Sequence, residues 1–502
     1  MAVDPQRYAF TDPLDLPRIT LDDLRTGAAD GVLLEGADAP RRFPRPAPEY
    51  HDDPDGAGLF AGFADGLVTY PPAFLTSSWA SRLVGYRMTL SRDALCFQDA
   101  GLEPETRARA LDRLAREDDF SNEETGLRPT GQPGLFHFNA GARAQRHLPG
   151  SVVVLCSDEP YNFGSFLFRV LPKLHAVRRY GLGHLPLLVH AHAATQQQYL
   201  ALLGAQREAL LLHDTRTIYT IDHAIRPCLR NDQAYLDDET RALFSELRDR
   251  YGSRDHGARI YVSRLSHSKG GASSRAMLNE AALVERLRAQ GFRIVEPERL
   301  SAHQQIEVFS AAELVVGPAG AGMFNVAFCR PGTRVIDIES EPHWIHAHTC
   351  LFASCGLRYA IFEGKVDPSD GRPVHRSWTV NIDALCDRIA GFCGDPPARA
   401  GRAKAMLRSG TLDEVTLTHA RGWARDAAGT APAEIEIVVE GARVGRVRAE
   451  LPRDDLGALG PCAFVFRFPE PLVPTTAGLA VAARFADTGA DLVHSPHRLA
   501  HP

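Results

Sequence analysis

The residues of this 502-residue chain best suited to bind an anion are a glycine-rich turn and two arginines upstream of it. The apolar run Leu314-Val315-Val316 enters Gly317-Pro318-Ala319-Gly320-Ala321-Gly322 and continues into Met323-Phe324-Asn325, which reads as a strand, a turn and a helix. Glycines let backbone approach a ligand closely. The first turn of a following helix offers N–H donors and a positive dipole end to a phosphate. The spacing is G-x-x-G-x-G, whereas dinucleotide folds use G-x-G-x-x-G, so a nicotinamide cofactor is disfavoured. Such a turn can also join strand to helix with no ligand at all, so the cations must decide. Arg264 closes the short strand-like run Arg259-Ile260-Tyr261-Val262-Ser263, and Arg275 follows it. A guanidinium fork suits the oxygens of a phosphate.

Chemistry at such a site also needs a proton acceptor. Asp158 and Glu159 precede the turn Asn162-Phe163-Gly164 and follow the apolar run Val152-Val153-Val154-Leu155, which would leave them at the carboxyl edge of a sheet. The plainer reading of either is helix capping or loop solvation. His175 falls two turns into the next helix and reads as a packed or exposed helix residue. His190-Ala191-His192 and His346-Ala347-His348 could each put two imidazoles on one strand face, but neither has a third ligand nearby in sequence. Asp53-Pro54-Asp55 lies in a Pro-rich stretch far from the other motifs. No metal is expected.

The elements that must carry these residues form an alternating series. Strand 152–155, helix 167–179, strand 187–189 and helix 197–203 make a first α/β unit, placed at 146–255. The second, at 256–395, runs from strand 259–264 through helix 278–287, a strand near 294 and a helix near 306 to the glycine turn and strand 333–338. Residues 1–145 begin rich in Pro, Asp and Gly and go on to short strands and a charged helix at 106–114. Residues 396–409 read as a linker. In 410–502, two alternating runs flank Gly441 as a hairpin would and two more strands follow, which predicts a small antiparallel β-sandwich. The predicted fold class is α/β: two Rossmann-like domains, a β-containing N-terminal extension and a C-terminal β-module.

With these elements in place a resemblance is legible. Tyr261-Val262-Ser263-Arg264, Arg275, Asn279-Glu280, Gly291-Phe292, Pro297-Glu298, Gln305, Gly317-Pro318, Gly320-Ala321-Gly322, Asn325 and Pro331-Gly332-Thr333 resemble, in order and spacing, glycosyltransferase family 61. The run from Asn162 to Leu174, Asn-Phe-Gly-Ser-Phe-Leu-Phe-Arg-Val-Leu-Pro-Lys-Leu, is similar to that family's other hallmark. The resemblance implies a GT-B arrangement, with the two domains facing each other across a cleft. It also implies inverting, metal-independent transfer from a nucleotide-sugar donor to a glycan or glycoconjugate acceptor, in bacterial surface polysaccharide synthesis. Carried over by position, Asn162, Arg264, Arg275, Glu298, Gly320, Ala321, Gly322 and Asn325 would hold the donor. The family usually has His at Ser165 and Ala319 and an acidic residue at Arg169. The family's acidic base therefore does not transfer, and Asp158 and Glu159 become the candidates for that role. The alternative is a catalytically degenerate member serving as a carbohydrate-binding or scaffolding subunit.

Composition agrees with a large globular protein, at 44% hydrophobic and 24% charged residues. A formal net charge of −6, with no basic block interleaved with aromatics, argues against a nucleic-acid partner. The start of the chain shows no leader pattern, and no apolar run reaches the ~18 residues of a membrane span. Nine cysteines with no C-x-x-C pair suit reduced thiols. The expected compartment is the cytoplasm, peripheral membrane association remaining open, and no cofactor is expected.

Overall fold

The computed structural model describes residues 6–35, 41–44, 47–51, 67–70, 72–91, 95–97, 101, 126–141, 143–157, 159–231, 234–268, 275–341, 345–372, 375–394, 408–426, 432–452, 461–474, 478–487, 489, 491–492 and 494–499. The expected helix at 106–114, residues 396–407 of the expected linker, Asp158 and the Asp53-Pro54-Asp55 motif lie outside these residues, while Arg408 and Ser409 already belong to a strand.

A large sheet is built around β1 (Phe74–Val84), β2 (Ala144–Val154), β3 (Leu187–Val189), β4 (Leu210–Leu212) and β5 (Thr217–Pro227). Strands β4-β3-β2-β5 run parallel in that spatial order, and β1 pairs antiparallel with β5. The end of β2 is apolar at every position because it is covered on both faces. Val153 and Leu155 enter one core cluster, and Val152, Val154 and Cys156 enter another. The stretch read as an N-terminal extension adds strands to this same sheet, with Met88–Leu90, Leu95–Phe97, Gln6–Phe10, Leu135–Phe138 and Leu127–Pro129 continuing it beyond β1.

The second sheet is formed by β6 (Ala258–Val262), β7 (Arg293–Val295), β8 (Ala312–Pro318), β9 (Arg334–Glu339) and β10 (Arg358–Glu363). All are parallel, in the order β7-β6-β8-β9-β10, with Tyr50–His51 at the far edge. The winding direction reverses between β6 and β8. In open parallel sheets such a reversal is the place where ligands bind, at the carboxyl ends of the strands.

Helix α1 begins at Phe163–Ser165, widens into a π turn at Phe166–Val170 and ends as Leu171–Arg179. It joins the two sheets. Its Phe166, Leu167 and Leu171 share one core with Val153 of the first sheet and with Ile260, Val262 and Val315 of the second. Two further helices matter below: α2 (Ala302–Ser310) and α3 (Ile345–Ser354). Near the C-terminus, Arg408–Val415, His419–Asp426 and Ala463–Arg467 form one antiparallel sheet; Ala433–Val439, Ala442–Ala449, Leu479–Phe485 and His497–Leu499 form another. Leu412, Ile435, Ile437, Phe464, Val481 and Phe485 fill a core shared by both, which makes a sandwich.

Candidate functional site

The turn after β8 is built by glycines that leave room for neighbours. A Cβ on Gly317 would lie 2.8 Å from Met323 Sδ and 2.9 Å from Val262 Cβ, so the two strands flanking the reversal could not close up. A Cβ on Gly320 would lie 3.1 Å from Arg264 Nη1 and 3.5 Å from Arg275 Nη2. Both guanidinium groups thus converge on the bare backbone of this turn. The segment beyond it, Ala321–Phe328, is a 3-10 helix. Gly320, Ala321 and Gly322 sit at its amino end, where N–H groups lack partners in a preceding turn.

Arg264 is placed by the end of β6. Its backbone N–H donates to Glu280 Oε1 at 2.7 Å, Ser263 Oγ donates to the same oxygen at 3.0 Å, and Arg264 Nη1 donates to the Ala319 carbonyl at 3.1 Å. Glu280 is fully buried, so it acts as a fixed peg for the strand end. Arg275 reaches the turn from a backbone in the left-handed region, at φ 63°. That conformation is costly for a residue other than glycine and is held by two bonds: its N–H donates to the His375 carbonyl at 2.8 Å, and its own carbonyl accepts Trp378 Nε1–H at 3.1 Å. Burial and then the nearby Arg264 charge depress the Arg275 pKa to about 10, and burial lowers that of Arg264. Two like charges out of water oppose each other, an arrangement that Glu339 and Glu341 offset in part and that a bound anion would relieve further.

The remaining donor-side candidates fall into two groups. Asn325 is buried, and its Nδ2 donates to the Gly322 carbonyl at 3.1 Å, which braces the turn from beneath. Glu298 is exposed in the short turn Pro297–Arg299 and accepts Ser266 Oγ–H. Gln305 on α2 donates to the Pro297 carbonyl at 2.7 Å and accepts the Tyr199 hydroxyl at 2.8 Å, which ties this rim to a helix of the first sheet.

Across from the turn stands the start of α1. Asn162 caps it, its Oδ1 accepting from Gly164 N at 2.8 Å and Ser165 N at 3.3 Å. Gly164 lies against the second sheet: a Cβ there would fall 2.6 Å from Phe324 Cδ2. Phe168 stacks on the same ring, with centroids 5.2 Å apart. Glu159, at φ 48°, extends from the loop after β2. Its Oε2 accepts Ser165 Oγ–H at 2.8 Å and Arg169 Nη1–H at 3.3 Å, while Arg169 also donates to Ser165 Oγ at 2.9 Å. Ser165 and Arg169 thus contact Glu159 directly and orient a half-exposed carboxylate.

One cluster escaped sequence reasoning. Asp337 and Glu339 alternate onto one face of β9, and His348 descends from α3 onto that face, so that one potential ligand atom from each lies within 4.8 Å of the others. All three residues are buried. His348 Nδ1 and Asp337 Oδ2 are 2.7 Å apart. Burial, then Asp337, raises the Glu339 pKa well above the usual carboxylate range. Nothing near His348 in sequence signals it, since the two carboxylates come from a strand 9 and 11 positions upstream. The other histidine pair is held differently: His192 hydrogen-bonds through Nε2 to the His213 carbonyl at 2.8 Å, and the His190 ring packs edge-on against His192. His175 lies on α1 with its Nε2 3.8 Å from Glu239 Oε2.

Residues 163–336 match the family model described as Glycosyltransferase 61. The matched span takes in Gly164, Arg169, Arg264, Arg275 and the whole glycine turn, and it supports glycosyltransferase activity. No curated protein matches the chain. Among the described residues, no helix is long and apolar enough to cross a membrane.

Proposed function

We propose that this glycosyltransferase transfers a sugar, with inversion, from a nucleotide-sugar donor to a glycan or glycoconjugate acceptor, the two sheets working as the halves of a GT-B-type arrangement. A role in bacterial surface polysaccharide synthesis follows the family resemblance. The observation that carries the reading is the convergence of Arg264 and Arg275 over Gly320, at the strand-order reversal of the second sheet. As the bond to the donor sugar breaks, negative charge grows on the leaving diphosphate and the anomeric carbon becomes cationic. Fixed guanidinium groups and helix-end N–H groups stabilise that charge without having to reorganise. The acceptor hydroxyl must also lose a proton. Glu159 faces this task from the first sheet, aimed by Ser165 and Arg169.

The ion pair with Arg169 also supports a second reading, since Glu159 Oε2 is already occupied by Arg169 and Ser165. On that reading the chain binds donor and does not turn it over. A ligand screen followed by a turnover assay separates the cases. UDP, GDP, CDP or dTDP at millimolar concentration should raise the melting temperature, by about 2.7 kcal/mol of stabilisation at a hundredfold excess over Kd. Silence from all four would sink the donor-site reading. With the responsive donor, Glu159→Gln should slow nucleoside diphosphate release by at least ~10² while leaving nucleotide binding intact. Binding without turnover against a broad acceptor panel would instead establish the scaffolding reading.

A further inference from the structure

We propose that Tyr161 is a stacking platform for a sugar ring, which is that of the acceptor glycan if the transfer reaction proposed above holds. Tyr161 is 74% exposed, yet its side chain is held at both ends. Its hydroxyl lies 3.1 Å from Thr215 Oγ1, and its ring meets that of His190 at 80°, with centroids 4.7 Å apart. His190 directly follows β3 and Thr215 lies three positions beyond β4, so both supports stand at the carboxyl edge of the first sheet. Each of them is buried. A large side chain left in water adds little apolar burial to the fold, while fixing its rotamer costs entropy. Two tertiary contacts that order such a ring and leave its surface open favour an occupant from outside the chain.

The chemistry of the patch fits a sugar. An aromatic face covers the apolar C–H face of a pyranose, and the sugar hydroxyls need polar partners at the rim. His192 supplies one. Its ring centroid is 4.6 Å from that of His190, and its Nε2 must carry a proton because it faces the His213 carbonyl at 2.8 Å, so the neutral ring presents Nδ1 as an acceptor. Burial, then His192, lowers the pKa of His190, which leaves this support uncharged at neutral pH. Position makes the sugar the acceptor. The Asn162 N–H donates to the Glu159 carbonyl at 2.9 Å and closes a turn over residues 159–162 with Tyr161 inside it. Glu159 and Tyr161 are two positions apart, so their Cα atoms lie within about 7 Å of each other. A glycan resting on the ring therefore passes beside the carboxylate proposed to take the acceptor's proton.

The test uses the full chain without nucleotide, and its probes are the methyl pyranosides of glucose, galactose, mannose, xylose and N-acetylglucosamine. Saturation transfer from the aromatic protons of the protein to each sugar, at millimolar concentration, reports binding, and titration of the strongest responder gives its Kd. At least one glycoside should bind. Tyr161→Ala should weaken it by about tenfold or more, and Tyr161→Phe by no more than about threefold, because phenylalanine keeps the face and loses only the Thr215 contact. The exposed position lets both variants fold, which a little-changed melting temperature verifies. Nucleoside diphosphate affinity should be the same in Tyr161→Ala as in the parent. No glycoside bound, equal binding by Tyr161→Ala, or an alanine-like loss in Tyr161→Phe would each overturn the platform. A loss of diphosphate affinity in Tyr161→Ala would overturn it too, making the ring a seat for the nucleobase. If no nucleoside diphosphate binds the parent while a glycoside binds and depends on Tyr161, the transfer reaction fails and the platform stands as the sugar site of a scaffolding chain.

Discussion

At the residue scale, fork geometry and backbone clearance at the turn matter more than charge alone. Arg264→Lys keeps the charge but replaces a planar fork by a point donor, and a lysine cannot reproduce both the Ala319 contact and a phosphate contact. Nucleoside diphosphate affinity, measured by calorimetry, should fall by about tenfold or more, equivalent to roughly 1.4 kcal/mol or above. Gly320→Ala approaches the same group from the other side: its methyl would sit 3.1 Å from Arg264 Nη1 and push the guanidinium off the turn. A similar loss of affinity should follow with the positive charge still present. Unchanged nucleotide binding in both variants, with melting temperature lowered instead, would make Arg264 a structural residue.

At the element scale, the junction between the sheets depends on a helix start with no side chain at Gly164. Its hydrogen faces the Phe324 ring, and Phe324 belongs to the 3-10 helix that the glycine turn opens. Gly164→Ala should therefore destabilise the chain by about 1–3 kcal/mol, as overpacking in a close-packed core does, and should weaken nucleotide binding through the displaced turn. Because both effects run through one contact, adding Phe324→Leu should cost less in the Gly164→Ala background than alone. Additive changes in melting temperature across this cycle would show that the two residues do not press on each other.

At the scale of the whole molecule, buried neutral histidines set the acid limit of stability. His213 is fully buried between the end of β4 and the Gly85 carbonyl, and burial depresses its pKa from 6.5 to about 4, with the nearby His190 adding to the shift. His190 and His223 are lowered in the same direction, burial being the first cause of each. A folded-state value below the unfolded one means that the unfolded chain takes up more protons between these limits. The stability from neutral His213 is thus present in full above pH 6.5 and is lost as pH falls towards 4, on the order of 3 kcal/mol over the whole window. Melting temperature should drop across that range. His213→Gln should melt lower than the parent at pH 7.5 yet lose less on acidification. An identical acid slope in the variant would remove His213 as its source.

Local pattern was enough to place much of the chain. The strand-like runs at 187–189, 259–264 and 314–316, the helical run from 167 to 179 and the hairpin around Gly441 announce themselves through periodicity and turn residues, and observed elements overlap each of them. The glycine turn and its two arginines were legible for a related reason. Close backbone approach admits few residue types, so spacing alone marked the place. What the tertiary structure decided is everything that depends on two distant segments meeting. Gly164 reads in sequence as part of a helix start, and only the packing of α1 against Phe324 shows why a methyl is excluded there. The N-terminal strands join the first sheet because β1 pairs with β5, more than a hundred positions away, and sequence pattern carries no register across that distance. His346-Ala347-His348 has no third ligand nearby in sequence, and two carboxylates reach His348 from β9 by strand alternation. Segment-scale structure follows from short-range sterics and burial, whereas the site is assembled from loop ends whose mutual positions are settled only when the sheets pack.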